Sequence, residues 1–312
     1  LLGALRPARS GDFFTTSEGR EGCVGLRIGI IGGSGLYAMD GLADVREVTV
    51  DTPFGAPSDA IVQGRLGDTE LFFLPRHGRG HRLLPSELPF RANIWALKHL
   101  GVARVIAVGA VGSLRQEIAP GHLVVPDQFL DRTHGRIGTF FGNGIVAHVG
   151  FGDPVCPVLS RALVESARRV GATVHAGGTY VCMEGPQFST RAESELYRSW
   201  GASVIGMTNL QEAKLAREAE LCFATLALAT DYDCWKRDEH EVKIEDVLAA
   251  LSANVALAKQ VVHDVVPLLS ASPGCACGRA LAHAIITDRA RIPARVKRDL
   301  APIIGRYVPE ED

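Results

Sequence analysis

The chain has 312 residues, of which 46% are apolar, and a formal net charge of −2. This length and composition allow a sizeable buried core, arranged as one large domain or two small ones. A charge near zero provides no global field for nucleic acid or for an anionic membrane, and no apolar run approaches the ~20 residues of a membrane span. The first residues have too short an apolar stretch for a secretory signal. A cytoplasmic protein with no nucleic-acid or membrane partner is therefore expected.

Residues 1–25 show no hydrophobic periodicity, which predicts a flexible leader before a core that begins near Leu26. The segment VREVTV alternates apolar and polar residues, and other short runs are apolar throughout, as in inner strands. These strands are predicted at Arg27–Ile31, Leu71–Leu74, Val105–Val111, His122–Val125, Thr179–Met183, Val204–Ile205 and Leu221–Thr230.

Helices are predicted between these strands from helical apolar spacing, capping residues and terminal glycines. Their expected positions are Arg91–Leu100, Pro157–Val170, Thr190–Trp200, a segment after Asn209, and Ile244–Leu269. This order predicts an α/β fold with a mixed, twisted β-sheet flanked by α-helices, in a single catalytic domain spanning residues 26–270. Residues 271–312 are rich in Arg, Pro and Ala, and a peripheral C-terminal tail with a helix is expected there.

The glycine-rich stretch Gly33–Ala38 follows the first strand and fits the dinucleotide fingerprint G-x-G-x-x-A. A dinucleotide fold needs a crossover of roughly a dozen residues or more, but only Leu36–Asp44 separate the turn from VREVTV. We therefore predict that a loop, and not a helix, joins the first strand to the strand VREVTV. Glycine amides and the Ser34 hydroxyl can hold an anion, so phosphate is favoured over NAD, with a plain tight turn as the alternative.

The seven cysteines include no C-x-x-C pair and show no metal-ligand spacing. Free thiols and no metal site are therefore expected. The pair Cys275-Ala-Cys277 is the unusual feature, and a regulatory or stabilising disulfide there is the alternative.

Basic and hydroxyl side chains follow two predicted strands, at the end where open α/β sheets bind ligands. In LPRHGRGH, the Arg76 fork can grip two phosphate oxygens, and His77 adds a donor whose charge follows pH. A surface basic loop or a weak RNA contact is the alternative. Thr208 precedes a helix whose N-terminus favours an anion, although ordinary capping explains a threonine there equally well.

Two carboxylates, Asp231 and Asp233, end the last inner strand. Residues two apart on an extended segment project from the same face, so one small polar ring can meet both. Crowding favours a proton on one of them, which suits a general acid, while turn or capping aspartates are the alternative. Phe188, in EGPQFST, can cover a flat ring or serve as a core aromatic.

Nine blocks in this order resemble the methylthioadenosine phosphorylases, a branch of the trimeric purine nucleoside phosphorylases. They are IGIIGGSGLY, DTPFGAPSDAI, LPRHGRGH, FRANIWALKHLGV, AVGSLR, VPDQFLDRT, EGPQFSTRAES, GMTNLQEAKLARE and ATDYDCW. The resemblance covers about residues 26–270 and implies the single-domain nucleoside phosphorylase fold. It also implies a homotrimer, or a homohexamer of two trimers.

The resemblance implies a role for each matching site residue. Inorganic phosphate is implied to contact Ser34, Arg76, His77, Gly109, Ala110 and Thr208, with Gly109-Ala110 forming a turn. Met207 matches the ribose contact, Phe188 packs beside the purine, and Ser189 and Ile244 tune substrate choice. His148 matches a histidine offered to a neighbouring subunit's methylthio pocket. Gln187 and Gly109 depart from the family, which commonly has arginine and a hydroxyl residue at these positions.

The implied reaction is phosphorolysis of methylthioadenosine in purine and methionine salvage, with phosphate as co-substrate and neither cofactor nor metal. Asp231 is expected to donate a proton or hydrogen bond to the imidazole-ring nitrogen of the purine, and Asp233 to accept from its exocyclic amino group. Two alternatives stay open: a broader purine phosphorylase acting on adenosine, inosine or guanosine, and a non-catalytic nucleoside- or RNA-binding module.

Overall fold

The computed structural model describes residues 25–33, 35–36, 38–236, 244–269 and 274–309, and the side chains of residues 244–253 lie outside this description. Eleven strands form one sheet: β1 Arg27–Gly32, β2 Ala43–Val48, β3 Ile61–Leu66, β4 Thr69–Pro75, β5 Arg104–Ser113, β6 Leu123–Val125, β7 Gln128–Arg132, β8 Val174–Ala176, β9 Thr179–Met183, β10 Val204–Gly206 and β11 Cys222–Asp231. The helices are α1 Phe90–His99, α2 Pro157–Arg169, α3 Arg191–Ser199, α4 Asn209–Glu218, α5 Ile244–Val265, α6 Ala294–Asp299 and α7 Ala301–Ile304.

Strand β5 is the branch point of the sheet. It pairs in parallel with β1 and with β11, and its last two residues pair antiparallel with β10. One branch continues through β10, β9 and β7, and the other through β11, β6 and β8. The mixed sheet flanked by helices confirms the predicted fold class. The described residues between β1 and β2 form no helix, as the short spacing predicted.

Alternating side chains of the inner strands fill two cores, one on each face of the sheet. In β4, Phe72 and Leu74 point into the core that α1 and α4 cover, whereas Leu71 and Phe73 point into the core that α2 and α5 cover. Because both faces are covered, these strands are apolar throughout, which is the pattern that revealed them in the sequence. In the part of the chain that the structure describes, no helix has the length and apolar character needed to span a membrane.

The described part of the C-terminal segment is not a peripheral tail, contrary to our expectation. Leu281, Ile292, Ile303 and Ile304 are buried in the same core as α1 and α4. The Trp95 indole on α1 also donates a hydrogen bond to the Asp299 carbonyl at 2.9 Å. The shift to Arg and Pro in the sequence therefore concealed an apolar face. The domain boundaries at residues 25 and 270 stay predictions.

Glu218, the last residue of α4, makes stability depend on pH. Its carboxyl is buried and accepts hydrogen bonds at 2.7 Å from the Phe140 N–H and the Thr139 hydroxyl. Burial raises its pKa from 4.5 to about 7, against the effect of these bonds. Between these two values the folded state binds more protons than the unfolded state, so the free energy of unfolding falls as pH rises.

We expect Glu218→Gln to remove up to about 3 kcal/mol of this pH dependence, because the amide carries no charge in either state. Urea unfolding of both proteins at several values between pH 5 and pH 8 measures the difference. Parallel curves for the two proteins would contradict the prediction.

Candidate active site

The predicted phosphate and purine ends of the site are joined by β5. A Cβ placed on Gly109 would lie 3.4 Å from Nη1 of Arg76, and one placed on Gly112 would lie 3.0 Å from Oδ1 of Asp231. Gly109 and Gly112 are three residues apart on one strand, which separates them by about 10 Å at ~3.3 Å per residue. Arg76 and Asp231 therefore contact one strand at positions about 10 Å apart along it, on opposite faces, because the side chains of a strand alternate.

Arg76 follows β4 and is buried against Glu212 in the first turn of α4. Its Nε and Nη2 donate to the two carboxylate oxygens of Glu212 at 2.6 and 3.0 Å, and its Nη1 donates to the Val108 carbonyl at 2.8 Å. Burial alone lowers the pKa of Arg76, but attraction and hydrogen bonding from Glu212 raise it above its ordinary value. Burial also raises the pKa of Glu212, yet both N–O distances fit an ionised, charge-assisted pair.

This pairing changes the role expected of Arg76. The Nε–Nη2 edge of the guanidinium grips Glu212, so two phosphate oxygens cannot be gripped by that edge in this arrangement, and the contact of Arg76 with phosphate stays a prediction. Nη2 also lies 3.4 Å from the Ile31 carbonyl at the end of β1. What Arg76 offers a phosphate is its fixed charge and the second hydrogen of Nη1, on the side of Gly109.

His77 is a neutral histidine with a fixed tautomer. Burial, Arg76 and His81 lower its pKa to about 4, against the hydrogen bond with the backbone of Leu83. Its Nδ1 lies 2.8 Å from the Leu83 carbonyl, which only accepts hydrogen bonds, so Nδ1 carries the proton. Nε2 of the neutral ring is then an acceptor. His77 is thus suited to accept from a protonated phosphate oxygen, and its contact with phosphate stays a prediction.

The remaining predicted phosphate residues lie in strands and at a helix start. Gly109 and Ala110 pair with Ala227 and Leu228 within β5 and β11, so they form a strand segment and not the expected turn. Thr208 is buried at the N-cap of α4, and in the described structure its side chain forms no capping hydrogen bond. Its hydroxyl is thus available at the positive end of a helix. Ser34 lies outside the described residues.

The rest of the basic loop is engaged in contacts within the chain, although His81 and Arg82 are exposed. Arg79 pairs with Glu47 at 2.7 Å, and Arg82 donates to the Ser58 carbonyl at 2.5 Å. His81 stacks on His77 with ring centroids 4.2 Å apart. These internal contacts weaken the alternative of an RNA-contacting loop, because phosphate backbones need freely accessible charges.

Asp231 and Asp233 have different surroundings although they are two residues apart. Asp231 ends β11 beside a β-bulge, and its two oxygens accept from the Asp233 N–H and the Thr230 hydroxyl, both at 2.7 Å. Asp233 has a φ of 53°, in the left-handed region, which turns its carboxyl back toward the strand. Gly112 permits this arrangement, because a Cβ there would lie 3.3 Å from the Asp233 Cβ.

Asp233 carries an oxygen that the described chain does not satisfy. Among the described residues, its Oδ2 and the hydroxyl of Ser194 on α3 are buried without a hydrogen-bond partner. Burial raises the pKa of Asp233, the nearby hydroxyls of Ser194 and Ser189 oppose the rise, and the charge of Asp231 adds to it. A buried oxygen without a partner costs about 1–3 kcal/mol, which a ligand donor can recover.

The loop between β9 and α3 borders the same region. Arg136 joins it to β10 by donating to the carbonyls of Met207 and Glu184, and its Nε lies 3.2 Å from the Glu184 carboxylate. Gly185 permits the contact, since a Cβ there would lie 2.5 Å from the Met207 sulfur. Met207 is thus held against the loop between β9 and α3.

The other predicted contacts of this region are only partly brought together. The Ser189 carbonyl accepts from the Cys234 thiol at 3.3 Å, which places Ser189 beside the Asp231–Asp233 strand end. Phe188, by contrast, is exposed at 48% of its surface. Ile244 begins α5, and its side chain lies outside the described ones.

His148 is exposed, and its N–H donates to the Ala284 carbonyl at 2.9 Å. Among the described residues, no hydrogen bond, ion pair or ring contact joins His148 to the other predicted site residues.

Sequence reasoning missed Glu212, Arg136 and Ser194. Glu212 stands in the first turn of a helix, where an acid ordinarily complements the helix dipole, so its burial against Arg76 had no distinctive signal. Arg136 lies in an irregular loop and acts through residues far away in the sequence. Ser194 is part of a capped helix start, and the packing of α3 against β9 and β10 brings it near Asp233.

A family model described as the phosphorylase superfamily matches residues 27–267. The chain belongs to the phosphorylase superfamily. Within it, the chain is 60% identical over 282 residues to the S-methyl-5'-thioadenosine phosphorylase of Geobacter sulfurreducens, covering 90% of this chain and 99% of the relative. The relative of the same name from Koribacter versatilis is 58% identical, with 91% and 97% covered. The resemblance inferred from the nine blocks is confirmed.

Solved structures of methylthioadenosine phosphorylases are also similar to this chain in fold and in sequence. A methylthioadenosine phosphorylase from an Antarctic soil metagenomic library has a TM-score of 0.86 and 48% identity, covering 89% of this chain and 99% of its own. The methylthioadenosine phosphorylase from Schistosoma mansoni in complex with adenine has a TM-score of 0.73 and 34% identity, covering 90% and 98%.

Proposed function

We propose that this chain is a pentosyltransferase that cleaves S-methyl-5'-thioadenosine with phosphate, releasing adenine and S-methyl-5-thio-α-D-ribose 1-phosphate. The family of the chain and the names of its relatives support the reaction class. The observation that carries the proposal is the placement of two opposite chemistries along β5. A fixed cation lies at Gly109, and an acidic pair with an oxygen that the described residues leave unsatisfied lies at Gly112.

At the phosphate end, Arg76, the β5 backbone and Thr208 hold the nucleophile below the anomeric carbon. The Glu212 pair keeps the Arg76 charge in one position, so little reorganisation is needed when the sugar develops positive charge. His77 accepts from a phosphate hydroxyl. The chemistry balances with phosphate alone as co-substrate, because a C–O bond to phosphate replaces the C–N bond to the base.

At the purine end, the acidic pair holds the proton that the departing base takes up. Two such close carboxyls titrate together. Asp231 donates the proton or hydrogen bond to the imidazole nitrogen of the purine, and the Asp233 oxygen without a partner among the described residues accepts from the exocyclic amino group. The proton that the base takes up is replaced by the one that phosphate loses when it forms the sugar phosphate.

The proposed activity is tested by following adenine release from methylthioadenosine with and without phosphate. We expect release only with phosphate, together with an equal amount of the sugar phosphate. Release that does not depend on phosphate would show a hydrolase. Comparable efficiency on inosine and adenosine would favour the broader purine phosphorylase, and salt-sensitive binding without products would favour the non-catalytic module.

Thr208 gives a specific prediction at the phosphate end. Thr208→Val keeps the shape of the side chain and removes the hydroxyl, and a hydrogen bond to a charged group contributes about 1.5–3 kcal/mol. We expect the KM for phosphate to rise roughly 10- to 100-fold, with a much smaller change in the KM for the nucleoside. Thr208→Ser should restore phosphate binding. An unchanged KM for phosphate in the valine variant would place the anion elsewhere.

The homotrimer or homohexamer belongs to the same proposal, with the His148 of one subunit completing a neighbour's methylthio pocket. The exposure of His148 and of the nearby Val146, at 49%, supports a contact between subunits at this segment. Diluting the enzyme until sedimentation shows monomers should lower activity on methylthioadenosine more than on adenosine. Full activity of a verified monomer on both substrates would remove His148 from the site.

A further inference from the structure

Four cysteines from three distant stretches of the chain meet on the face of the sheet that α2 and α5 cover. They lie at the opposite end of β11 from the Asp231–Asp233 pair. The group consists of Cys156, Cys222, Cys275 and Cys277, and we refer to it as the cysteine cluster. Their sulfurs all lie within 4.8 Å of one another, and Cys156, Cys222 and Cys277 are buried. The spacing along the sequence did not indicate this juxtaposition, because the fold alone joins the three stretches.

We propose that the cysteine cluster is a structural metal site that binds zinc, or another ion that prefers thiolates, through four sulfurs. A tetrahedral zinc site with Zn–S bonds of about 2.3 Å separates its sulfurs by about 3.8 Å. Sγ of Cys275 lies 3.6 Å from that of Cys156 and 3.4 Å from that of Cys222. These separations suit a shared ion and are far beyond a disulfide bond of about 2.05 Å. Four protein ligands leave no open position, so the site is structural.

The surroundings of Cys156 favour a thiolate. Cys156 is the N-cap of α2, and its sulfur accepts a hydrogen bond from the Leu159 N–H at 3.5 Å. An amide donor and the positive end of a helix both stabilise negative charge on sulfur. The other thiols must still lose their protons, so metal binding releases protons and strengthens as pH rises.

The position of the cluster indicates what the metal would hold together. Cys222 begins β11, Cys156 begins α2, and Cys275 and Cys277 begin the described C-terminal segment. That segment contacts the stretch that carries His148, through the Ala147–Ile285 bridge and the bond from Val146 N–H to the Thr287 hydroxyl at 2.8 Å. A metal ion would thus fasten residues 274–309, and with them the His148 segment, to the body of the sheet. Cys275 and Cys277 lie beyond residues 27–267, the part that the family model matches.

The test measures metal in the full chain, purified without chelators or a histidine tag from zinc-supplemented cells. We expect about one zinc ion per chain and a lower Tm after chelation. Cobalt exchanged into the site should give the charge-transfer and d–d bands of a tetrahedral tetrathiolate. The double variant Cys275→Ser/Cys277→Ser should lose the metal. Cys182→Ser, which removes a buried thiol outside the cluster, should keep it.

Two results would overturn the proposal. The first is a metal-free protein whose four thiols react as free thiols and take up no cobalt after reduction. The second is a protein alkylated immediately on lysis whose peptides show Cys156, Cys222, Cys275 and Cys277 joined in disulfides, with no metal bound. If the double variant fails to fold, the zinc content and cobalt spectrum of the unaltered chain still decide. Each of these outcomes is independent of whether the proposed phosphorolysis is found.

Discussion

Asp233→Asn should reverse the base preference of the enzyme. We expect the ratio of kcat/KM for adenosine to that for inosine to fall by about 10²-fold or more, with a large loss of activity on methylthioadenosine. Each mismatched buried polar contact costs about 1–3 kcal/mol, and the substitution creates a mismatch for one base while removing it for the other.

The physical basis is the oxygen of Asp233 that the described chain leaves unsatisfied. Among the described residues, Oδ2 is buried and has no hydrogen-bond partner. An exocyclic amino group can donate to it, whereas a 6-oxo group faces it with an acceptor. An asparagine amide presents donors as well and so accommodates the 6-oxo base. Because burial and Asp231 raise the pKa of Asp233, the pair also keeps a proton to higher pH than an exposed aspartate would. The fall of kcat/KM at high pH should therefore change in Asp233→Asn.

The measurement is kcat/KM on adenosine, inosine and methylthioadenosine across pH. Asp44→Asn is the control, because Asp44 is an exposed aspartate with a positive φ that pairs with Arg65 at 3.0 Å, away from the Asp231–Asp233 strand end. It should leave the ratio unchanged. Asp231→Asn separates the two roles, since it disturbs the bonds from Thr230 and from the Asp233 N–H. If Asp233→Asn loses activity equally on all three substrates, Asp233 does not read the 6-position of the base.

The sequence predicted those elements of the fold that have a strong hydrophobic period or are buried on both faces. Strands β1, β5, β9 and β11 lie where the apolar runs indicated them, because both of their faces are covered. Strand β7, with the sequence QFLDR, was not predicted, since it is short, half-exposed and polar. Its parallel pairing with β9 holds it in the sheet, and no local pattern encodes that pairing.

The site was predictable residue by residue but not in its hydrogen bonding. Strand ends and the resemblance indicated Arg76, His77 and Asp233. They could not indicate that a carboxylate from α4 occupies the Arg76 fork, or that the Leu83 carbonyl sets the His77 tautomer. Such contacts depend on side chains separated by up to 136 positions, so they follow from packing and not from spacing. The cysteine cluster is a further case, because its members are separated by whole elements of the fold.

Glu212→Gln should be strongly destabilising, because it leaves the Arg76 charge buried without a counter-charge. Removing one partner of a buried ion pair costs about 3–5 kcal/mol, a large share of a typical folding free energy of about 5–15 kcal/mol. Glu70→Gln is the matched control. Glu70 pairs with Arg27 at 2.5 Å, but its side chain is 28% exposed and that of Arg27 is 36% exposed. A more exposed pair contributes about 0–1 kcal/mol, so this variant should lose far less.

The same substitution tests how Arg76 serves phosphate. If Glu212 holds the guanidinium in place for the anion, the KM for phosphate should rise in Glu212→Gln while the KM for the nucleoside changes little. Urea unfolding and phosphate kinetics of Glu212→Gln, Arg76→Met and the double variant complete a double-mutant cycle. The double variant should be more stable than the sum of the single losses predicts, since it removes both buried charges together. Additive losses of stability would mean that the two buried charges are not coupled. Phosphate binding that improves when the fork is released would mean that Glu212 competes with phosphate for Arg76 and does not position it.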